Sequence, residues 1–92
     1  MYSSFEWDNV KETENWKKHR VWFDESSTAL KDPLMVEFLD DSKGDERWVA
    51  FGMSIKSRLL VVVYGVTGTE IARIISARIA TSSERKEYEE GI

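Results

Sequence analysis

A chain of 92 residues with 41 % hydrophobic and 33 % charged residues has the composition of a small folded domain, and five Gly with one Pro exclude a fibrous or loop-dominated protein. The absence of Cys removes disulfide frameworks, thiol nucleophiles and Cys-ligated zinc together, and a single His leaves a structural metal short of ligands. The net charge of −4 argues against a general nucleic-acid binder, but it is split as −5 over residues 1–42, +3 over 43–85 and −2 over 86–92, which permits a local anion site in the middle-to-late half.

In chain order, a short extended piece around Ser4 to Trp7 comes first, and Asp8 has the side chain to cap the helix that follows over about Asn9 to His19. Lys17, Lys18 and His19 close that helix, where positive charge suits the dipole. A second short helix is expected from Asp24 to Lys31, stopped by Asp32-Pro33. Strands take over from Leu34: one over 34–39, a turn over Asp40 to Asp45, and a strand over 46–54 with Val49, Phe51 and Met53 on one face and Trp48, Ala50 and Gly52 on the other. Lys56-Ser57 makes a hairpin turn, and Leu59 to Val66 is apolar enough for a central strand buried on both faces. Gly65 to Gly68 is expected to turn into a last strand over Glu70 to Ala77, and Thr81 with Glu84 fits a capping box for a helix through Glu89. The order β-α-α-β-β-β-β-α describes one α+β domain over residues 1–92, an antiparallel meander sheet with two N-terminal helices and one C-terminal helix. The longest strongly apolar run, Leu59 to Tyr64, is far short of the roughly 20 residues of a membrane helix. The start of the chain also lacks the pattern of a secretory signal, so a cytoplasmic protein without a membrane role is expected.

The pieces FEWD (5–8), NWKKHRVWF (15–23), ERWVAFGMS (46–54), RLLVVVY (58–64) and RIISARIATSSERKEYE (73–89) resemble, in order, the BrnT family of toxins from bacterial type II toxin–antitoxin modules. The resemblance implies a RelE-like ribonuclease fold and cleavage of RNA without a metal or other cofactor. It also implies a BrnA-like ribbon-helix-helix antitoxin, through which alone operator DNA would be contacted as the pair represses its operon. Two positions depart from the family pattern. Arg20 follows the Lys-His pair where the family usually has Gly, and Ile79 stands where it usually has Lys.

Metal-free RNA cleavage needs a base for the 2′-OH proton, an acid for the leaving oxygen and cations for the charged phosphorane. His19 is the only imidazole of the chain, the side-chain type most used to move protons, and is the first proton mover to consider; its ordinary role would be a helix-end interaction. Arg73 and Arg78 lie in or beside an apolar strand and suit phosphate oxygens, unless one or both simply pair with a nearby Glu such as Glu46 or Glu84. Their odd spacing puts them on opposite faces of a regular strand, so they share a site only if the strand ends or bulges between them. Glu46 and Arg47 open a strand beside a turn, either as proton mover and substrate cation or as an exposed ion pair. Lys18 and Arg85 are further substrate-binding candidates, and Glu84 with Tyr88 either joins the site or docks the last helix. Trp7, Trp16 and Trp22 are expected chiefly in the core, with base stacking or an antitoxin surface as the other uses. A catalytically inactive protein that binds the antitoxin and serves as co-repressor is the rival function.

Overall fold

The computed structural model describes residues 2–42, 44 and 46–91. Along the chain run β1 (Ser4–Glu6), α1 (Asn9–His19), α2 (Phe23–Ala29), β2 (Val36–Asp40), β3 (Arg47–Met53), β4 (Leu59–Gly68), β5 (Ile71–Ile79) and α3 (Ser82–Glu90). The order of elements is the expected one. The sheet is not a plain antiparallel meander. Strands β2 to β5 do pair antiparallel with their neighbours, but β1 joins the far edge parallel to β5, giving a mixed sheet in the order β1-β5-β4-β3-β2. The chain leaves β1 through two helices before entering the sheet at the opposite edge, so β1 is left beside the last strand, running in its direction.

Local chemistry sets the helix ends. Asp8 accepts hydrogen bonds from the amides of Val10 and Lys11, and Thr81 with Glu84 forms a complete capping box. Arg20 ends α1 in the left-handed conformation, φ 57° and ψ 38°, at a cost of roughly 1 kcal/mol relative to glycine. Helix α2 covers Phe23 to Ala29 rather than Asp24 to Lys31, because Trp22 already provides its extended N-cap. The last hairpin turns at Thr69 and Glu70, the latter at φ 61°, so the expected turn over Gly65 to Gly68 is instead the end of a longer β4. Lys43 and Asp45 of the expected 40–45 turn lie outside the described residues.

One sheet face carries Ala50, Leu60, Val62, Tyr64, Ala72, Ile74 and Ala77 into a core with Val21, Phe23, Ala29 and Leu30. There β3 lies so close to α2 that a Cβ on Gly52 would stand 2.3 Å from the Ala29 carbonyl oxygen, so only glycine fits. None of the four Trp is fully buried, contrary to the expectation of a Trp-rich core. The interior is aliphatic with Phe23 and Tyr64, while Trp7 packs edge-on against Phe23 from the rim. Strand β4 is buried on both faces over Leu59 to Val62 but not over the whole expected stretch to Val66, because the strand runs past the core and leaves Val66 exposed. Helix α3 runs back from the end of β5 to contact β3. No described helix is long and apolar enough to cross a membrane.

Candidate functional site

Strand β5 pairs regularly with β4 from Ile79 to Ser76, slips by one residue, and resumes at Ile74 opposite Tyr64. Ile75 is the extra residue of a β-bulge. Directly paired residues share a face, so Arg78 opposite Val61 and Arg73 opposite Gly65 both point away from α1 and α2. The bulge therefore supplies the irregularity that the odd spacing required. The two guanidinium groups do not form one clamp, since four residues along β4 separate their partners by about 13 Å.

Arg78 donates from Nη1 and Nη2 to the two carboxylate oxygens of Glu84, both at 2.7 Å. This pairing, helped by the Thr81 amide, pulls the Glu84 carboxyl down to about 2 and raises Arg78. Arg73 meets Glu6 at 3.4 Å with both side chains 46 % exposed, a contact worth under about 1 kcal/mol and easily exchanged. Arg73 also lies close enough to Asp8 to help lower its carboxyl, behind the larger effect of the Lys11 and Val10 amides.

The edge of β5 is covered unevenly. Strand β1 pairs only up to Arg73, and α1 resumes the coverage at Ala77. There the Asn15 side chain imitates a strand, donating to the Ala77 carbonyl at 2.9 Å and accepting from the Ala77 amide at 3.0 Å. A second Asn15 bond, to the Val21 carbonyl at 3.0 Å, ties the same amide to the chain leaving α1. Between these two attachments a groove of about 250 Å³ remains, floored by Ile75 and Ser76 and walled by Lys11, Glu14, Lys18 and His19 of α1. Ser76, paired with Val63, lies on the same sheet face as the two arginines. The bulge thus joins the groove to that face. His19 and Lys18 are brought together here as the sequence suggests; Lys11, Glu14, Asn15 and Ser76 were not anticipated. The recurrence of Lys11, Glu14, Asn15 and Lys18 at helical spacing was the available signal.

The remaining candidates stand apart from the groove. Arg47 begins β3 across from the end of β4, on the face that also carries Val49, so it shares a row with Gly65 and Arg73, about 10 Å from the latter by strand spacing. A Cβ at Gly65 would meet nothing within 4 Å, so the middle of that row is open. Glu46 is exposed just ahead of Arg47 and is not brought to His19, while Arg85 is exposed on α3 one residue beyond Glu84. Tyr88 docks its helix: its hydroxyl donates to Asp32 at 2.6 Å, and burial with that bond pushes the phenol up to about 12. Burial works to raise the Asp32 carboxyl, but bonds from the Tyr88 hydroxyl and the Met53 and Leu34 amides outweigh it and hold the group low. Two other polar clusters are structural in geometry. Glu25 is buried under Arg58, which holds its carboxyl low and donates from Nε at 2.9 Å, and the deeply buried Tyr64 hydroxyl donates to Glu37. Among the described residues no three His, Asp or Glu side chains converge as a metal-ligand set.

Comparison with known proteins matches the chain to one family. The family model "Ribonuclease toxin, BrnT, of type II toxin-antitoxin system" matches residues 7–84. Among curated proteins none matches the chain. Among solved structures, the crystal structure of the Brucella abortus ribonuclease toxin BrnT is similar at 25 % identity and a TM-score of 0.64, over 86 % of this chain and 97 % of that one. With 78 consecutive residues, from Trp7 to Glu84, under the family model, the chain belongs to the BrnT family of ribonuclease toxins of type II toxin–antitoxin systems.

Proposed function

We propose that this protein is a single-domain, RelE-like endoribonuclease that cleaves RNA without a metal at the β5 edge. The observation that carries the reading is the Ile75 bulge, which turns Arg73 and Arg78 to one face and opens that face onto the groove holding His19 and Lys18. In the reaction the 2′-OH loses its proton to a base, its oxygen bonds to phosphorus, and the bond to the 5′-oxygen breaks as that oxygen takes a proton. His19 or Glu46 moves these protons, and the position of His19 beside the groove favours it. Arg73 and Arg78 stabilise phosphate charge, one at the reacting phosphorus and the other, about 13 Å along β4, at a neighbouring phosphate, with Lys18, Arg47 and Arg85 holding the flanking backbone. The products are a 2′,3′-cyclic phosphate and a free 5′-OH.

The toxin–antitoxin family implies an antitoxin partner. A BrnA-like ribbon-helix-helix protein is the proposed partner, neutralising the toxin in the cytoplasm and carrying the pair to operator DNA. One feature favours a second reading, an inactive co-repressor: Glu84 occupies both terminal nitrogens of Arg78, and Ile79, exposed beside it, adds no cation. Incubation of the purified protein with RNA, free and on translating ribosomes, with and without EDTA, separates the two. Cleavage that survives EDTA and leaves cyclic phosphate ends supports the nuclease; intact RNA in every arm supports the co-repressor.

A further inference from the structure

At the end of α1 the Trp16 and Trp22 rings stack at 4.5 Å between centroids and 7° between planes, and the Arg20 guanidinium lies over Trp16 at 5.4 Å. Trp22 remains 37 % exposed, an apolar ring the core does not use. The backbone around it is fixed: Val21 and Phe23 on either side are fully buried, Arg58 donates to the Arg20 carbonyl at 3.2 Å, and Trp22 is the N-cap of α2. Lys17, Lys18 and Arg20 form an exposed cationic run beside the rings, with the exposed His19 among them, and Lys18 and His19 also line the β5 groove.

From this we infer that Trp22 is the end of a pre-built stacking platform that takes one unpaired nucleobase of the RNA, so that the nucleotide's phosphate falls among Lys17, Lys18 and Arg20. The inference rests on the ribonuclease reading and deepens it, because it assigns the substrate class as single-stranded RNA and places a specificity contact next to His19. A planar surface held flat by a parallel neighbour suits another planar π-system, and the adjoining cations suit the phosphate that comes with a base. Trp16, stacked against Trp22 and contacted by Arg20, stiffens the platform while Trp22 offers the outer ring.

The test uses the whole protein and a short single-stranded RNA, 2′-O-methylated so that it cannot be cut, carrying 2-aminopurine as the reporting base. Wild type should bind it and quench the 2-aminopurine on stacking. Trp22→Ala should bind about tenfold more weakly and lose the quenching, the size expected for one base–aromatic stack. Trp22→Phe, which keeps a planar ring, should stay within about threefold of wild type, and matching circular dichroism spectra would show that both variants fold. If Trp22→Ala binds and quenches like wild type, the platform is refuted and the nuclease reading stands. If Trp22→Ala weakens antitoxin binding but not RNA binding, the surface belongs to the protein partner and the inference fails. If wild type itself does not bind the free RNA, the platform is refuted, while the nuclease reading is decided separately by cleavage on translating ribosomes.

Discussion

Arg78 and Glu84 show how much two side chains can settle. Their bidentate contact was one of two readings open from the sequence, because six residues apart across a strand end and a capping box they are local neighbours. Arg20 was not legible from the residues alone: only the resemblance, with its usual Gly after the Lys-His pair, pointed to a left-handed residue there, and the chain adopts that conformation even with Arg. Asn15 was not legible, since nothing in a helical Asn reveals that it will pair with a strand edge 62 residues away. The Glu84 carboxyl, ordinarily near 4.5, is held at about 2 in the folded protein, so its contribution is fully present above pH ~4.5 and is lost as pH falls toward 2. Thermal unfolding followed across that window should show wild type losing stability faster than Glu84→Gln; equal slopes would deny the pair its role. Asn15→Ala should lower stability by roughly 2–4 kcal/mol, because it strands a buried amide and two carbonyls, and denaturant titration would measure it.

At the scale of elements, periodicity gave the helices and the four later strands within a few residues. The bulge and the parallel β1 escaped it. A bulge is invisible to a count of alternation, because Arg73 to Ala77 reads as a regular strand until its partner is known. The partner of β1 is set by where two helices deliver the chain, a long-range property no local window carries. Helix α3 has no buried residue and is held by polar contacts at its two ends, Glu84 to Arg78 and Tyr88 to Asp32. Tyr88→Phe should therefore loosen this helix at a cost of about 1 kcal/mol, seen as faster amide exchange confined to residues 82–90. Protection unchanged along α3 would show that the hydroxyl bond adds nothing.

For the whole molecule, the charge map bears on how the proposed RNA substrate would approach. The overall −4 would repel RNA, so under the proposed reading attraction falls to the cations flanking β5, Lys18 at the groove and Arg73 and Arg78 on the adjoining face. If three to five phosphates are neutralised there, log affinity for single-stranded RNA should fall with log salt at a slope of roughly −2 to −3.5. Anisotropy titrations between 50 and 200 mM salt, a range over which such binding changes strongly, would give the slope. A flat dependence would place the RNA elsewhere.

The measurement that bears most directly on the β5-edge account is the single-turnover cleavage rate of RNA by wild type and by His19→Ala, Arg73→Ala and Arg78→Ala. The account predicts that each variant folds and binds its antitoxin but cleaves at least about a hundredfold more slowly, the scale of a lost proton mover or charge stabiliser. Wild-type rates in all three variants would contradict it.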